Sequence, residues 1–447
     1  MKSTRRIALI MTLCVTLLAK AQDKPKQSYT FSLDQAIAHA IEHNYSAINA
    51  QRDITKAQKK KWETTAAGLP QISGKLDVQH YFELPISVAD INGDGINEEF
   101  VFGTRNSANA VATLNQLIFD GSYIVALQAS KTYLKYYENA KQKSNVDVRE
   151  MVINAYGNVL LAEESIAILN RNKTTLEKTL NDTRETFKNG LIEEENVEQL
   201  EITLASVNSS LNNTTRLLDI AYKNLKITLG IDLNDQLTLT DKLENLTTSN
   251  VDMALAKGDF NVNNNIDYQM ALNFQQQRQL EYKLERSKAL PSLSAFVNYG
   301  SNAYSAKFPL FDSDQRWYNS SLLGVSLNVP IFSSLARTAR TQQAKIAFEQ
   351  ASTQLIESEQ RIKLQYEQAK SQYEFSIEEY ATQKNNLRLA ERIERKQQVK
   401  FTEGLSSSFD FSEAQRQLYT AQQSYLQSMV DIINTKAALE KVTNNSK

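Results

Sequence analysis

The chain has 447 residues, with Lys and Arg so nearly balanced by Asp and Glu that its formal net charge is −1. That balance removes the electrostatic pull on which nucleic-acid binders depend, and no block of Lys or Arg outside the N-terminus restores it. Only 13 Gly and 6 Pro are present, and Gln, Asn, Ser and Ala fill the spaces between apolar residues. This is the composition of long helices rather than of ordinary globules. With one Cys and three His (His39, His43 and His80), a Ser-His-Asp triad or a His-rich zinc site has little raw material.

Residues 1–21 carry Lys2, Arg5 and Arg6, then the run IALIMTLCVTLLA, then Ala19-Lys20-Ala21 in the small-x-small form of a signal-peptidase site. The segment reads as an export signal, with Gln22 as the mature N-terminus. Its apolar run is too short for the roughly 20 residues a spanning helix needs. Cys14 lies inside it after Leu13, where lipoprotein processing wants a small residue, so the mature chain is expected to have no thiol. Beyond residue 21 no segment reads as a transmembrane helix, so any membrane crossing must use strands.

Between residues 71 and 82 the apolar period is 2: Ile72, Leu76, Val78, His80 and Phe82 share a face with Gly74, and Ser73, Lys75, Asp77 and Gln79 take the other. Ala108, Ala110, Ala112 and Leu114 alternate with Asn109, Thr113 and Asn115. The pattern returns with Leu293, Ala295, Val297 and Tyr299, and then with Leu323, Val325, Leu327 and Val329 against Gly324, Ser326 and Asn328. One apolar and one polar face per strand suits a water-filled barrel in lipid, although a soluble sandwich shows the same alternation. Aromatics near the strand ends (Tyr81, Phe82, Phe100, Phe102, Phe119 and Tyr123; Tyr299, Tyr304, Phe308, Phe311, Trp317, Tyr318 and Phe332) favour the barrel. Four strands cannot close one alone, because the smallest stable barrels need about eight, so the chain is expected to oligomerise.

All six prolines avoid 86–290 and 331–447, as long helices require. Val148, Val152, Ala155, Val159, Ala162, Ile166, Leu169, Leu176, Leu180 and Phe187 form a heptad seam broken at Lys173 and Thr183. Val197, Leu200, Leu204, Val207, Leu211, Leu218, Ala221 and Leu225 continue it beyond Gly190. A second seam runs from Ala344 through Phe348, Ala351, Ile362, Tyr366 and Tyr373 to Ala390, and returns after Gly404 with Phe411, Ala414, Leu418 and Tyr425. Each descending helix is expected to run about 70 residues, or roughly 100 Å.

Three internal matches indicate a duplication: GLPQISG (68–74) with ALPSLSA (289–295), LIFDGS (117–122) with PIFSSL (330–335), and FKNGLIEEENVEQ (187–199) with FTEGLSSSFDFSE (401–413). Each unit reads helix, β-hairpin, long helix, Gly turn, return helix. In each, Pro70 or Pro291 is read as the breaker between helix and strand. The first repeat is placed at 22–230, with its β-hairpin at about 71–118 and its helical hairpin at about 121–229. A linker follows at 231–262, and the second repeat at 263–447 has its hairpins at about 292–331 and 334–443.

Through FSLDQAIAHAIEHN (31–44), the two LPxxS junctions, LNVPIF (327–332) and the two FxxGL turns, the mature chain resembles the TolC-like outer membrane efflux proteins. The resemblance implies an α+β membrane protein: a homotrimer with four strands per chain in one 12-stranded transmembrane β-barrel, continued by a long antiparallel α-helical coiled-coil barrel. It implies a passive exit duct in outer membrane lipid of a Gram-negative bacterium, extending into the periplasm, served by a periplasmic adaptor and an inner membrane pump, with no enzyme activity and no nucleic-acid partner. Carried over by position, Asp410 and Glu413 match the acidic residues ringing the periplasmic aperture, with Asn196 and Phe401 where Asp and Tyr can stand, and Ser406 where an Arg link can occur. The other reading of Asp410 is as the N-cap of the return helix. The turn tips Gly190, Leu191, Gly404 and Leu405 are the implied adaptor-docking points, and Glu193, Glu194 and Glu195 also suit the positive end of a helix dipole.

Residues 90–99, DINGDGINEE, resemble an EF-hand calcium loop, with Asp90, Asn92, Asp94, the Ile96 carbonyl and Glu98 at ligand spacing and Gly95 at the sharp turn. Position twelve is Val101, which lacks the carboxylate, and a solvated Asn/Asp/Gly turn is the other reading; no other cofactor is expected. The rival from another class is a periplasmic coiled-coil adaptor or scaffold that never inserts.

Overall fold

The computed structural model describes residues 27–91, 93, 95–252, 255, 258–306 and 314–444. The export-signal reading of 1–21, Asn92, Asp94, Phe308 and Phe311 lie outside them. The chain divides into two compact units that cut across the repeats: one draws on 1–49, 143–265 and 362–447, the other on 50–142 and 266–361.

The second unit is built on a sheet of β2 (Gln71–His80), β5 (Asn106–Asp120), β7 (Ser292–Ser305) and β8 (Trp317–Asn328), in the order β2-β5-β7-β8 and antiparallel throughout. Each repeat supplies one hairpin, and β5 joins β7 across the duplication. The register places Ile72 opposite Leu114, Leu114 opposite Val297 and Val297 opposite Leu323, so the four alternations merge into one apolar face. Ser73, Thr113, Asn298 and Leu322 form the matching row of the other face, which is otherwise dominated by Lys75, Asp77, Asn109, Asn302, Ser326 and Asn328. Much of the apolar face is bare, Leu323 being 72% exposed and Ile72 76%, whereas the Ala108–Ala303 pair toward one end is buried. Strands β2 and β8 end the sheet, each paired on one side only.

Within the connection from β2 to β5, residues 81–105, lies a further small hairpin, β3 (Ile86–Ala89) with β4 (Glu98–Val101), which carries Phe100, with Phe102 just past its end. Those two aromatics therefore belong to this insertion and not to a belt at the strand ends. β2 stops at His80, so Phe82 also falls beyond the strand.

Helices α2 (Tyr45–Ala66) and α6 (Ile266–Ser287) lead into the sheet. Both stop four residues before their proline, in tight turns closed by Leu69 N–H to the Ala66 carbonyl and Leu290 N–H to the Ser287 carbonyl. The prolines thus set the strand entrance rather than end the helix, since the preceding turn has already done so. A Cβ on Gly68 would lie 2.3 Å from the Tyr123 ring, and one on Gly121 2.6 Å from Leu290, so each glycine admits the side chain of the other strand–helix corner. Tyr123 Oη also donates to the Thr65 carbonyl at 3.0 Å.

In the first copy β5 passes directly into α3 (Gly121–Lys188). In the second, residues 329–335 intervene before α7 (Ala336–Thr402), with Ser334 and Leu335 both at positive φ. That helix therefore begins two residues later than its sequence suggests. Arg337 secures the turn by donating to the Pro330 carbonyl at 2.8 Å and to Ser333 Oγ at 3.2 Å.

The first unit contains α1 (Leu33–His43), the remainder of α3, α4 (Glu194–Leu229), α5 (Leu243–Asn250), the remainder of α7 and α8 (Ser408–Thr443). A short parallel pair, β1 (Ser28–Phe31) with β6 (Gln236–Leu239), lies in the same unit, so the 231–262 linker holds both a strand and a helix. The core is formed by the heptad seams: Val148, Val152, Ala155 and Val159 of α3 pack with Leu225 and Leu229 of α4 and with Met429, Val430 and Ile433 of α8. Thr183, a break in the seam, is buried, and its hydroxyl donates to the Thr179 carbonyl at 2.8 Å, which removes the cost of placing it there. Tyr373 fills the second seam and its hydroxyl donates to the Asn250 carbonyl at 2.7 Å, tying α7 to the end of α5.

Contrary to the sequence reading, α3 contains an 18-residue window apolar enough to cross a membrane. Half of that window is buried inside the protein, because a helix whose seam meets partners on two sides is apolar around much of its circumference.

Candidate functional site: the helical turns

The two helical hairpins close with the same backbone device. Gly190 sits at φ 73° and donates to the Phe187 carbonyl, while Leu191 N–H reaches the Thr186 carbonyl. Gly404 at φ 68° donates to the Phe401 carbonyl, and Leu405 N–H reaches the Lys400 carbonyl. This is the Schellman pattern, and its left-handed residue is the reason each turn carries a glycine. The following leucines are presented outward: Leu191 is 75% exposed and Leu405 77%.

Beyond the turns the copies diverge. α4 has Glu193 at its N-cap position without a side-chain cap bond, and its first turn carries Glu194 and Glu195. α8 is capped by Ser407, whose Oγ accepts from Asp410 N–H at 3.1 Å. Asp410 is therefore not the N-cap. It sits in the first turn, where its carboxylate accepts from the hydroxyls of Ser407 at 2.8 Å and Ser406 at 3.4 Å. Those hydrogen bonds from Ser407, helped by Ser406 and by Lys400, hold the Asp410 carboxyl below its usual range. Within one chain this carboxylate stays charged rather than being poised to titrate.

Glu413, one turn further on, forms an ion pair with Arg416. Asn196 Oδ1 accepts from Ser408 N–H at 3.3 Å and so links the start of α4 to the start of α8. Phe401 stacks on Phe411 with centroids 5.4 Å apart and planes 10° apart. Phe411 is fully buried among Leu169, Leu176, Val197 and Leu200. Above this plug, α3, α4 and α8 line a cavity of about 830 Å³ whose walls include Thr203, Ser206, Ser412, Glu413, Arg416 and Gln422.

The structure thus brings Asp410, Asn196 and Phe401 to one end of α8 and sets Glu413 in the wall of the adjoining cavity. Sequence reasoning missed Arg416 and Ser407; the S-x-x-D spacing at 407–410 is a capping signature that would have found the latter.

In the β3–β4 turn, Asp90 accepts from Gly93 N–H at 2.7 Å and from Gly95 N–H at 2.8 Å. Val101, opposite Ile86 in the small hairpin, offers no side-chain oxygen at position twelve, and the frame is a β-hairpin instead of two helices. The described part of the loop forms an Asx-type turn around Asp90, while Asn92 and Asp94 lie outside the described residues. Among the described residues no cluster of three or more His, Cys, Asp or Glu is placed to hold a metal ion.

A family model described as outer membrane efflux protein matches residues 262–445, which span α6, β7, β8, α7 and α8. The first repeat, outside that match, pairs with the matched segment in the shared sheet and closes its helical hairpin with the same kind of glycine turn. The chain's fold is also that of several solved channels. CusC is 15% identical, with a TM-score of 0.74 over 95% of this chain and 97% of that one. The outer membrane protein VceC from Vibrio cholerae is 14% identical, with a TM-score of 0.72 over 92% and 95%. The CmeC outer membrane channel of Campylobacter jejuni is 17% identical, with a TM-score of 0.72 over 95% and 90%. A comparison with curated proteins finds no sequence match.

Proposed function

We propose that the chain is the outer membrane exit duct of a tripartite efflux or type I secretion system in a Gram-negative bacterium. Three copies of the four-stranded sheet close one barrel of twelve strands in lipid, and the helical hairpins form the periplasmic continuation. A periplasmic adaptor docks at the tips around Gly190, Leu191, Gly404 and Leu405, and an inner membrane pump supplies the energy. The observation that carries this reading is the continuous apolar face, exposed in water terms, on a sheet with two open edges. A scaffold that stayed in the periplasm would leave that face in contact with water at a cost of about 25 cal/mol for each Å².

Purified protein in a planar bilayer should give stepwise conductance. If it gives none, while remaining water-soluble as a monomer without detergent, the exit-duct reading fails and the scaffold reading replaces it. Asp410→Ala combined with Glu413→Ala should lower cation over anion preference in the same recordings, because it removes two carboxylates per chain near the turn. Unchanged ion preference would remove these residues from the aperture.

The calcium reading of residues 90–98 has its own check. Calorimetric heat with millimolar Ca²⁺ that vanishes in Asp90→Ala would support a structural ion in the hairpin. Absence of heat leaves Asp90 as the keeper of the turn alone.

A further inference from the structure

Toward the end of β2 the polar face of the four-stranded sheet changes character. The register sets Asp77 opposite Asn109 and Asn109 opposite Asn302, and in the next row Gln79 opposite Ser107 and Ser107 opposite Tyr304. Side chains on strands repeat their direction every second residue, so both rows share one face. Tyr81 follows Gln79 in the same alternation and stands at the base of the 81–105 insertion, where its N–H donates to the Arg105 carbonyl at 2.8 Å. These rows, with Tyr81 and with Phe102 of the insertion, line a cavity of about 530 Å³.

The strands that carry the lining are tied together at this end. Asn106 is buried, lies with its Oδ1 2.7 Å from His80 Nδ1, and donates through Nδ2 to the carbonyls of Ser305 and Ala306 at 3.2 and 2.9 Å. The chemistry of the lining is selective. No lining residue is basic, so a phosphate or carboxylate finds no counter-charge. The one carboxylate, Asp77, is paired with Lys75 Nζ at 2.9 Å, so little net charge is left to hold a cation. A wholly apolar guest would leave the amides of Gln79, Asn109 and Asn302 without partners. Asn109 Nδ2 donates to Asn302 Oδ1, which turns Asn109 Oδ1 into the acceptor and Asn302 Nδ2 into the donor offered to a guest. Beside these amides the cavity presents the rings of Tyr81, Tyr304 and Phe102, the last 79% exposed.

From this juxtaposition we infer that the cavity is a binding site for the ring of a neutral saccharide. Such a ring carries hydroxyls around its rim, each a donor and an acceptor, and those pair with the amides and with Asp77. Its flat faces are C–H groups, which lie favourably against the electron-rich face of an aromatic ring. Neither feature alone would choose a sugar. Amides and rings in one uncharged cavity of small-molecule size do. The site is complete within one subunit's sheet and insertion, so the inference does not depend on the exit-duct reading.

The test uses the full-length protein in a detergent whose headgroup is not a sugar, since a glycoside detergent would compete. Labelled protein is applied to an array of neutral hexose, deoxyhexose and N-acetylhexosamine glycans, and the best-bound oligosaccharide is then titrated by calorimetry. Tyr81→Ala and Asn302→Ala should each weaken that binding about tenfold, the loss of one stacking face or one hydrogen bond. Ser294→Ala, on the same face but paired with Ser326 away from the cavity, should bind as the wild type does. Circular dichroism confirms that each variant is folded. A parallel titration with the delipidated glycan of lipopolysaccharide separates the sources: heat there assigns the site to a surface lipid's glycan, and heat with the free oligosaccharide alone assigns it to a soluble sugar. A wild type that binds no glycan above the level of the Tyr81→Ala/Asn302→Ala double variant would overturn the inference.

Discussion

Leu323→Arg is expected to keep the protein out of the membrane. Leu323 lies midway along β8, opposite Val297, which is itself opposite Leu114, so the substitution places a guanidinium at the centre of the apolar face. On the lipid side of a barrel such a charge costs about 2–4 kcal/mol near the bilayer midplane, and in the trimer proposed above symmetry would impose the cost once in every subunit. Membrane fractions washed with urea should then lose the protein, and heat-sensitive oligomers on gels should disappear. Ser326→Arg is the control. It lies on the same strand but on the polar face, paired with Ser294, and should still insert while altering conductance. Normal insertion of Leu323→Arg would mean that this face is covered by protein and not by lipid.

Gly230→Ala should be the most destabilising single change in the helical unit. Gly230 caps α4 at φ 74° and ψ 25°, where a side chain alone costs roughly 1–2 kcal/mol. A Cβ there would also stand 2.1 Å from the His43 carbonyl oxygen, a backbone atom that cannot swing away. The corner between α1 and α2 rests on this turn and is held by Asn44 Nδ2 donating to the Thr228 carbonyl at 2.7 Å. Moving either backbone breaks that bond, so the total should reach about 3–5 kcal/mol, the upper range for one substitution. Denaturant melts of the helical signal measure it. Gly190→Ala makes the comparison: its φ is 73° but nothing lies within 4 Å, so only the backbone cost of about 1–2 kcal/mol should appear.

Much of this architecture can be read from residue spacing because each element obeys one period. The 3.5-residue repeat marks the buried positions Val152, Leu176 and Leu200, and alternation marks Ile72 and Leu323 as members of an apolar face. Alternation cannot say which strand is the neighbour. The pairing of β5 with β7 joins residues nearly 200 positions apart, and nothing local to either strand encodes it. The parallel match of Ser28–Phe31 with Gln236–Leu239 is harder still, since four residues are too few to display a period. At the helical turns the glycines are legible because only a left-handed residue closes a Schellman turn. The contact between Asn196 and the Ser408 amide is a product of tertiary packing. The alternative reading of Asp410 as the N-cap fails because Ser, Asp and Asn suit the same role, and only the geometry shows that Ser407 fills it.

The free margins of β2 and β8 have a consequence for how such a subunit is made. β8, Trp317–Asn328, contains no charged side chain and no proline, the two features that most often blunt a lone margin. In the trimer proposed above, a newly released copy would therefore be adhesive along its β8 margin, while Lys75 and Asp77 blunt the β2 margin. Its maturation would then be a matter of encounter and escort as much as of folding, any delay before that meeting being time in which the wrong strand can dock.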